Sequence, residues 1–128
     1  MKRTLALNPD NKPATLEDIK KYRDIHEESE ILTEWGFIDA DFLSLNRLGN
    51  ASANFTALPN LDMGRVKWTF ADNTTLFFYE NELVDLYNYV SQESVIRSAL
   101  LHEKYNYFKS LDTYPTLSQI KSIDFWLS

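Results

Sequence analysis

The stretch VKWTFADNTTLFFYENEL, residues 66–83, decides the fold class. Val66, Trp68 and Phe70 alternate with Lys67, Thr69 and Ala71, the period-2 pattern of a strand with one buried face. Asp72 and Asn73 tolerate the left-handed backbone angles of a tight turn. Leu76 to Tyr79 forms a second apolar run, and from Glu80 the apolar spacing becomes helical. The segment therefore reads as strand, turn, strand and the start of a helix, and it contains no catalytic constellation.

Working outward, residues 80–111 keep a helical pattern. Leu83, Leu86, Tyr87 and Val90 open its apolar face, and Leu100, Leu101, Tyr107, Phe108 and Leu111 close it. The middle, Ser91-Gln92-Glu93-Ser94, is polar, which predicts exposure or a bend there. At 1.5 Å per residue such a helix is about 45 Å long, more than one small domain can cover. Either it breaks or its far end packs on something else. After Pro115, Thr116 and Gln119 form a capping box that starts a short last helix to about residue 126.

On the other side, Thr15 is a good N-cap, and Glu17 and Asp18 suit a first helical turn. A first helix is expected from Leu16 to about residue 33 or 34, stopped by Gly36. Ile19, Tyr22, Ile25 and Leu32 form its narrow apolar stripe. Phe37-Ile38 and Phe42-Leu43 read as a small hairpin around Asp39-Ala40-Asp41, at about 36–43. Residues 44–58 permit a helix that Gly49 weakens, and Pro59-Asn60 ends it. Residues 1–14 read as a flexible arm, because Asn8-Pro9 and Lys12-Pro13 disfavour a helix. The expected architecture is a single α+β domain over 15–128, with hairpins at about 36–43 and 66–79 packed against an N-terminal helix, a long helix and a short C-terminal helix.

Composition narrows the function classes. The 128 residues are 44% apolar and 14% aromatic, the balance of a folded chain with aromatic side chains to spare for a partner. The absence of cysteine removes disulfides, thiolate metal sites and a cysteine nucleophile. The basic start MKRTLALNPDNKP lacks the apolar run of about 7–15 residues that a signal peptide needs, and no stretch of about 20 apolar residues suggests a membrane span. Without a secretory signal, the sequons at Asn50, Asn54 and Asn73 carry little weight. The net charge of −6 resides in residues 15–41, where nine acids face three bases; elsewhere ten balance ten. Phosphate neutralisation needs the opposite sign, so no nucleic-acid partner is expected.

Motifs for chemistry are lacking. Three widely spaced glycines cannot build a phosphate loop. His102-Glu103 has no second histidine at zinc-helix spacing, and His26 among glutamates reads as a surface residue. Asp39-Ala40-Asp41 could present two carboxylates to a cation, but turn formation is the commoner use, and the run lacks the remaining ligands of a calcium loop. The run Glu27, Glu28, Glu30, Glu34 is most simply a solvated helix face, with a dock for a basic partner as the functional version. Tyr105, Tyr107, Phe108 and Tyr114 pack the last helix onto the long one, anchor a protein interface or, as a weaker third option, form a sugar-binding platform. No catalytic residue, metal or cofactor is expected.

From Trp35 to Trp126 the chain resembles an uncharacterised domain family of tailed bacteriophages, found in tail-fibre proteins and in small proteins encoded beside them. The resemblance lies in the order and spacing of GFIDADF (36–42), SLNRLGNASANFTAL (44–58), VKWTFADNTTLFFYENEL (66–83), the long helix and PTLSQIKSIDFW (115–126). The chain departs from that pattern at Asp39-Ala40-Asp41, where glycine is usual, and in its acidic first helix. The resemblance implies a non-enzymatic tail or tail-fibre protein that works by protein–protein association, as a virion subunit or a fibre-assembly factor. Other tail or fibre proteins, or a second copy of the chain, would be its partners, in the virion or in the host cytoplasm during assembly. Candidate contacts are Ile19, Tyr22, Ile25 and Leu32, and the aromatic end Tyr105, Tyr107 and Phe108. The alternatives are a small phage protein that binds and inhibits a host protein, and an enzyme of a type the sequence does not identify.

Overall fold

The structure is a computed structural model and describes residues 9–128. The expected flexible arm falls partly outside the described residues, at 1–8. Its remainder is packed rather than loose. Pro9–Asn11 form a 3-10 turn, Pro13 bridges Thr116, and the N–H of Ala14 donates to the Pro115 carbonyl at 2.8 Å. Proline restricts helix without preventing docking, and Ala14 is buried.

The fold is α+β, with two antiparallel hairpins and five helices among the described residues. In order they are α1 (Leu16–Glu27), β1 (Ile31–Thr33), β2 (Gly36–Ile38), α2 (Phe42–Ala53), β3 (Val66–Thr69), β4 (Thr75–Phe78), α3 (Glu80–Lys109), α4 (Leu117–Lys121) and α5 (Ile123–Leu127). They gather into two compact units: among the described residues, 9–27 with 97–128, and 28–96. Helix α3 is continuous, giving its residues through Ile96 to the second unit and the rest to the first. No residue between Val90 and Leu101 is buried, and the helix runs through its half-exposed polar middle without a break. Each end of the long helix has a core of its own.

The hairpin at residues 66–78 forms as its alternation dictates. Val66 pairs with Phe78 and Trp68 with Leu76, while Val66, Phe70 and Phe78 are buried. In the turn, the Asp72 carboxylate accepts from the Thr74 N–H at 3.0 Å, and Asn73 takes φ +69°. The first hairpin lies earlier than the sequence suggests, over 31–38. Ile31 and Thr33 point inward and Leu32 outward, so the strand begins where a helical stripe was expected to end. Helix α1 stops at Glu27 for this reason. Asp41 is not a hairpin turn residue. Its side chain accepts from the Ser44 N–H at 2.9 Å and caps α2, which turns Phe42 and Leu43 into helix.

In the second unit, Ile31, Ile38, Leu48, Phe55, Val66, Phe70, Phe78, Leu83, Leu86 and Val90 share one core. Gly49 belongs to this packing. A Cβ there would stand 2.9 Å from the Tyr87 ring, so α2 accepts the helix cost of glycine to bring the ring close. In the first unit, Ile19, Leu101, Phe108, Ile120 and Trp126 form the other core, with Phe108 5.0 Å from Trp126 edge to face.

Candidate functional site

The chemistry-bearing side chains of the first unit serve its packing. His26 is buried, contrary to the surface reading. Its Nε2 lies 2.8 Å from the Ile120 carbonyl, and the Trp126 indole N–H donates to the same oxygen at 2.8 Å. An imidazole nitrogen facing a carbonyl must carry the proton, so His26 is a donor there. The signal was present in the spacing: His26 stands four residues after Tyr22 and seven after Ile19, on the inward stripe of α1.

His102 Nε2 lies 3.3 Å from Glu27 Oε2, and Glu27 Oε1 accepts from the Ser98 hydroxyl at 2.7 Å. The carboxylate stands between hydroxyl and imidazole. A nucleophilic triad needs the imidazole in that place, so this arrangement fastens α1 to α3 within the unit. Among the described residues no group of three or more histidine or carboxylate side chains could hold a metal. The two carboxylates of Asp39-Ala40-Asp41 diverge in use. Hydrogen bonds from the Ser44 hydroxyl and backbone N–H hold the Asp41 carboxyl below its ordinary range. Asp39 lines an open cleft of about 370 Å³ with Arg47 and Lys67.

The expected partner-binding residues separate. Ile19 and Phe108 are fully enclosed in the first unit's core, where a partner cannot reach them. Tyr22 and Tyr105 are half-buried against that core, and the Arg23 guanidinium lies 4.5 Å from the Tyr105 ring centre. Ile25 and Tyr107 are exposed, each in the first unit. Leu32 is exposed in the second unit, on a strand and not on α1. The expected stripe is therefore not one helix face, because α1 ends before Leu32 and Ile19 is buried. Tyr114, from the same aromatic run, packs against the first core.

The outer face of the β1–β2 hairpin does carry a pair of large exposed apolar side chains. Leu32 and Phe37 are cross-strand partners, 56% and 51% exposed, and the Tyr89 hydroxyl donates to the Leu32 carbonyl at 3.2 Å. Tyr89 is itself exposed. Phe42 and Leu43 follow in the same unit, both exposed. Sequence pattern assigned Leu32 to a candidate surface and left Phe37 and Tyr89 out, since their apposition depends on strand register. Charge divides sharply between the units. The second holds eleven acids and three bases, a net of −8, while the rest of the chain carries eight acids and ten bases, a net of +2. Among the described residues no helix is long and apolar enough to cross a membrane.

Comparison with protein-family models, with curated proteins and with solved structures finds no match for this chain.

Proposed function

We propose that this protein acts by protein–protein association, as a non-enzymatic tail or tail-fibre subunit or as a fibre-assembly factor. The tail setting rests on the resemblance of residues 35–126 in sequence. Association rests on the patch of Leu32, Phe37 and Tyr89. Single exposed apolar residues are ordinary on any protein, but two large ones paired across a hairpin, with an exposed tyrosine of α3 bonded to the same strand, are a surface suited to a partner. Aromatic side chains there bury much area at little entropic cost.

Mass spectrometry of purified particles tests the setting. Presence at a fixed ratio to the fibre supports a virion subunit, and absence combined with a complex formed on co-expression supports an assembly factor. Absence of both removes the reading. The net charge of −8 on the second unit favours a second reading, in which that unit occupies a basic surface of a host protein. Capture of a basic host protein with no fibre complex would select it.

A further inference from the structure

A two-residue turn of the second unit carries a residue that its backbone does not favour. Asp62 and Arg65 exchange both backbone hydrogen bonds, at 2.8 and 2.9 Å, around Met63 and Gly64. Both central residues have positive φ, +53° at Met63 and +77° at Gly64. That pattern belongs to the type I′ turn, where asparagine, aspartate or glycine is favoured at the first position and an unbranched apolar side chain is strained. Met63 is also 83% exposed, so its side chain gains no packing in return. Asparagine would suit both the backbone and the water.

Beside this turn the unit's charge balance reverses. Phe77, 42% exposed, lies under the Arg65 guanidinium at 4.5 Å and the Lys67 ammonium at 5.6 Å. Arg65 and Lys67 are two of the three bases in a unit with eleven acids. Among the described residues, the one ion pair that either makes is Arg65 with Asp62, at 3.8 Å. An exposed methionine on a braced turn, two residues before the arginine that covers an exposed aromatic ring, is an anchor with a basic rim.

We infer that Met63 and Phe77 insert into an apolar pocket of a protein partner that is rimmed by carboxylates facing Arg65 and Lys67. This rests on the association reading and names the partner's chemistry at a second face of the same unit. A polyanion such as nucleic acid is a poorer fit, because it would meet two cations on a body of charge −8 and leave Met63 without a contact.

Two measurements on the intact protein test it. Met63→Asn should raise the thermal midpoint by about 2–5 °C, since the turn gains its preferred residue; an unchanged or lower midpoint means that Met63 serves the fold and overturns the inference. In the second, a short synthetic peptide alternating Glu with Leu and Phe is titrated at millimolar concentration while backbone amide shifts are followed. Saturable shifts should centre on residues 62–67 and 75–78, weaken at least roughly tenfold in Met63→Asn and in Arg65→Gln/Lys67→Gln, and be absent with the Lys-for-Glu peptide. No saturable shift, an equal response to the Lys peptide, or an equal response to single-stranded oligothymidine overturns it. The particle and co-expression tests above are separate, so a tail complex that survives the Met63 and Arg65/Lys67 variants would keep the association reading and discard this face.

Discussion

In the unit of residues 28–96 no titratable side chain is buried, and aliphatic and phenyl groups fill the core. In the unit completed by residues 97–128, a histidine and a tryptophan meet inside the core on one carbonyl oxygen. The first kind of core is specified by shape, the second also by hydrogen bonds that only one arrangement satisfies. Surface character runs the other way. The shape-packed unit carries a net charge of −8 and twelve of the seventeen large apolar residues exposed among the described ones. Of the two, the acidic unit exposes the more apolar surface.

The largest break in this comparison should come from Trp126→Ala. Losing a fully enclosed indole costs about 3–5 kcal/mol and also removes a donor from the Ile120 carbonyl. Amide exchange should accelerate in α1, α4 and α5 while β3 and β4 keep their protection; equal loss in both units would show that they fold as one. His26→Ala should cost about 1–3 kcal/mol in chemical denaturation, from the lost buried hydrogen bond and the space left beside Trp126. On the other side of the comparison, Gly49→Ala should destabilise the shape-packed unit by about 1–2 kcal/mol despite its gain in helix propensity, because the Tyr87 ring must move. Adding Tyr87→Ala should abolish that added cost in a double-mutant cycle.

The smallest effects are in pH, and they have opposite signs in the two units. Hydrogen bonds from Ser44 hold Asp41 below its ordinary range, and hydrogen bonds from Thr74 do the same for Asp72. A depressed carboxyl pKa contributes stability that is present above the unfolded value and is lost as pH falls through the folded one. Acid should therefore loosen the α2 cap and the β3–β4 turn. In the first unit the bond to Asp10 raises Lys121, whose contribution is present below the ordinary lysine value and lost as pH rises through the folded one. Amide shifts followed to both extremes should report the cap and turn in acid and Asp10 and Asn11 in alkali. Asp72 and Lys121 are solvent-exposed and Asp41 is only partly buried, so the changes should stay local.

The β3–β4 hairpin was legible because its residues alternate cleanly and its turn residues are those a tight turn needs. Helix α3 was legible for the same reason, including its polar middle. The β1–β2 hairpin was displaced because Leu32 fits a helical stripe as well as an outward strand position, and three residues are too few for periodicity to decide. Asp41 looked like a turn because aspartate serves turns and N-caps equally well. The division into two units was not legible. It depends on Leu101 and Phe108 meeting Ile19 and Trp126, contacts between distant parts of the chain that no local pattern encodes. The candidate surface was legible in Leu32 alone, since Phe37 and Tyr89 join it through register and a tertiary hydrogen bond.

The claim that the acidic unit works as an association surface is tested most directly by co-expressing the intact protein with the fibre polypeptide and comparing it with a Leu32→Ser/Phe37→Ser double variant. Both positions are more than half exposed, so the variant should stay within roughly 0.5 kcal/mol of the parent in stability. The parent protein should form a complex that the folded variant fails to form. A variant that folds and binds as the parent does would contradict the claim.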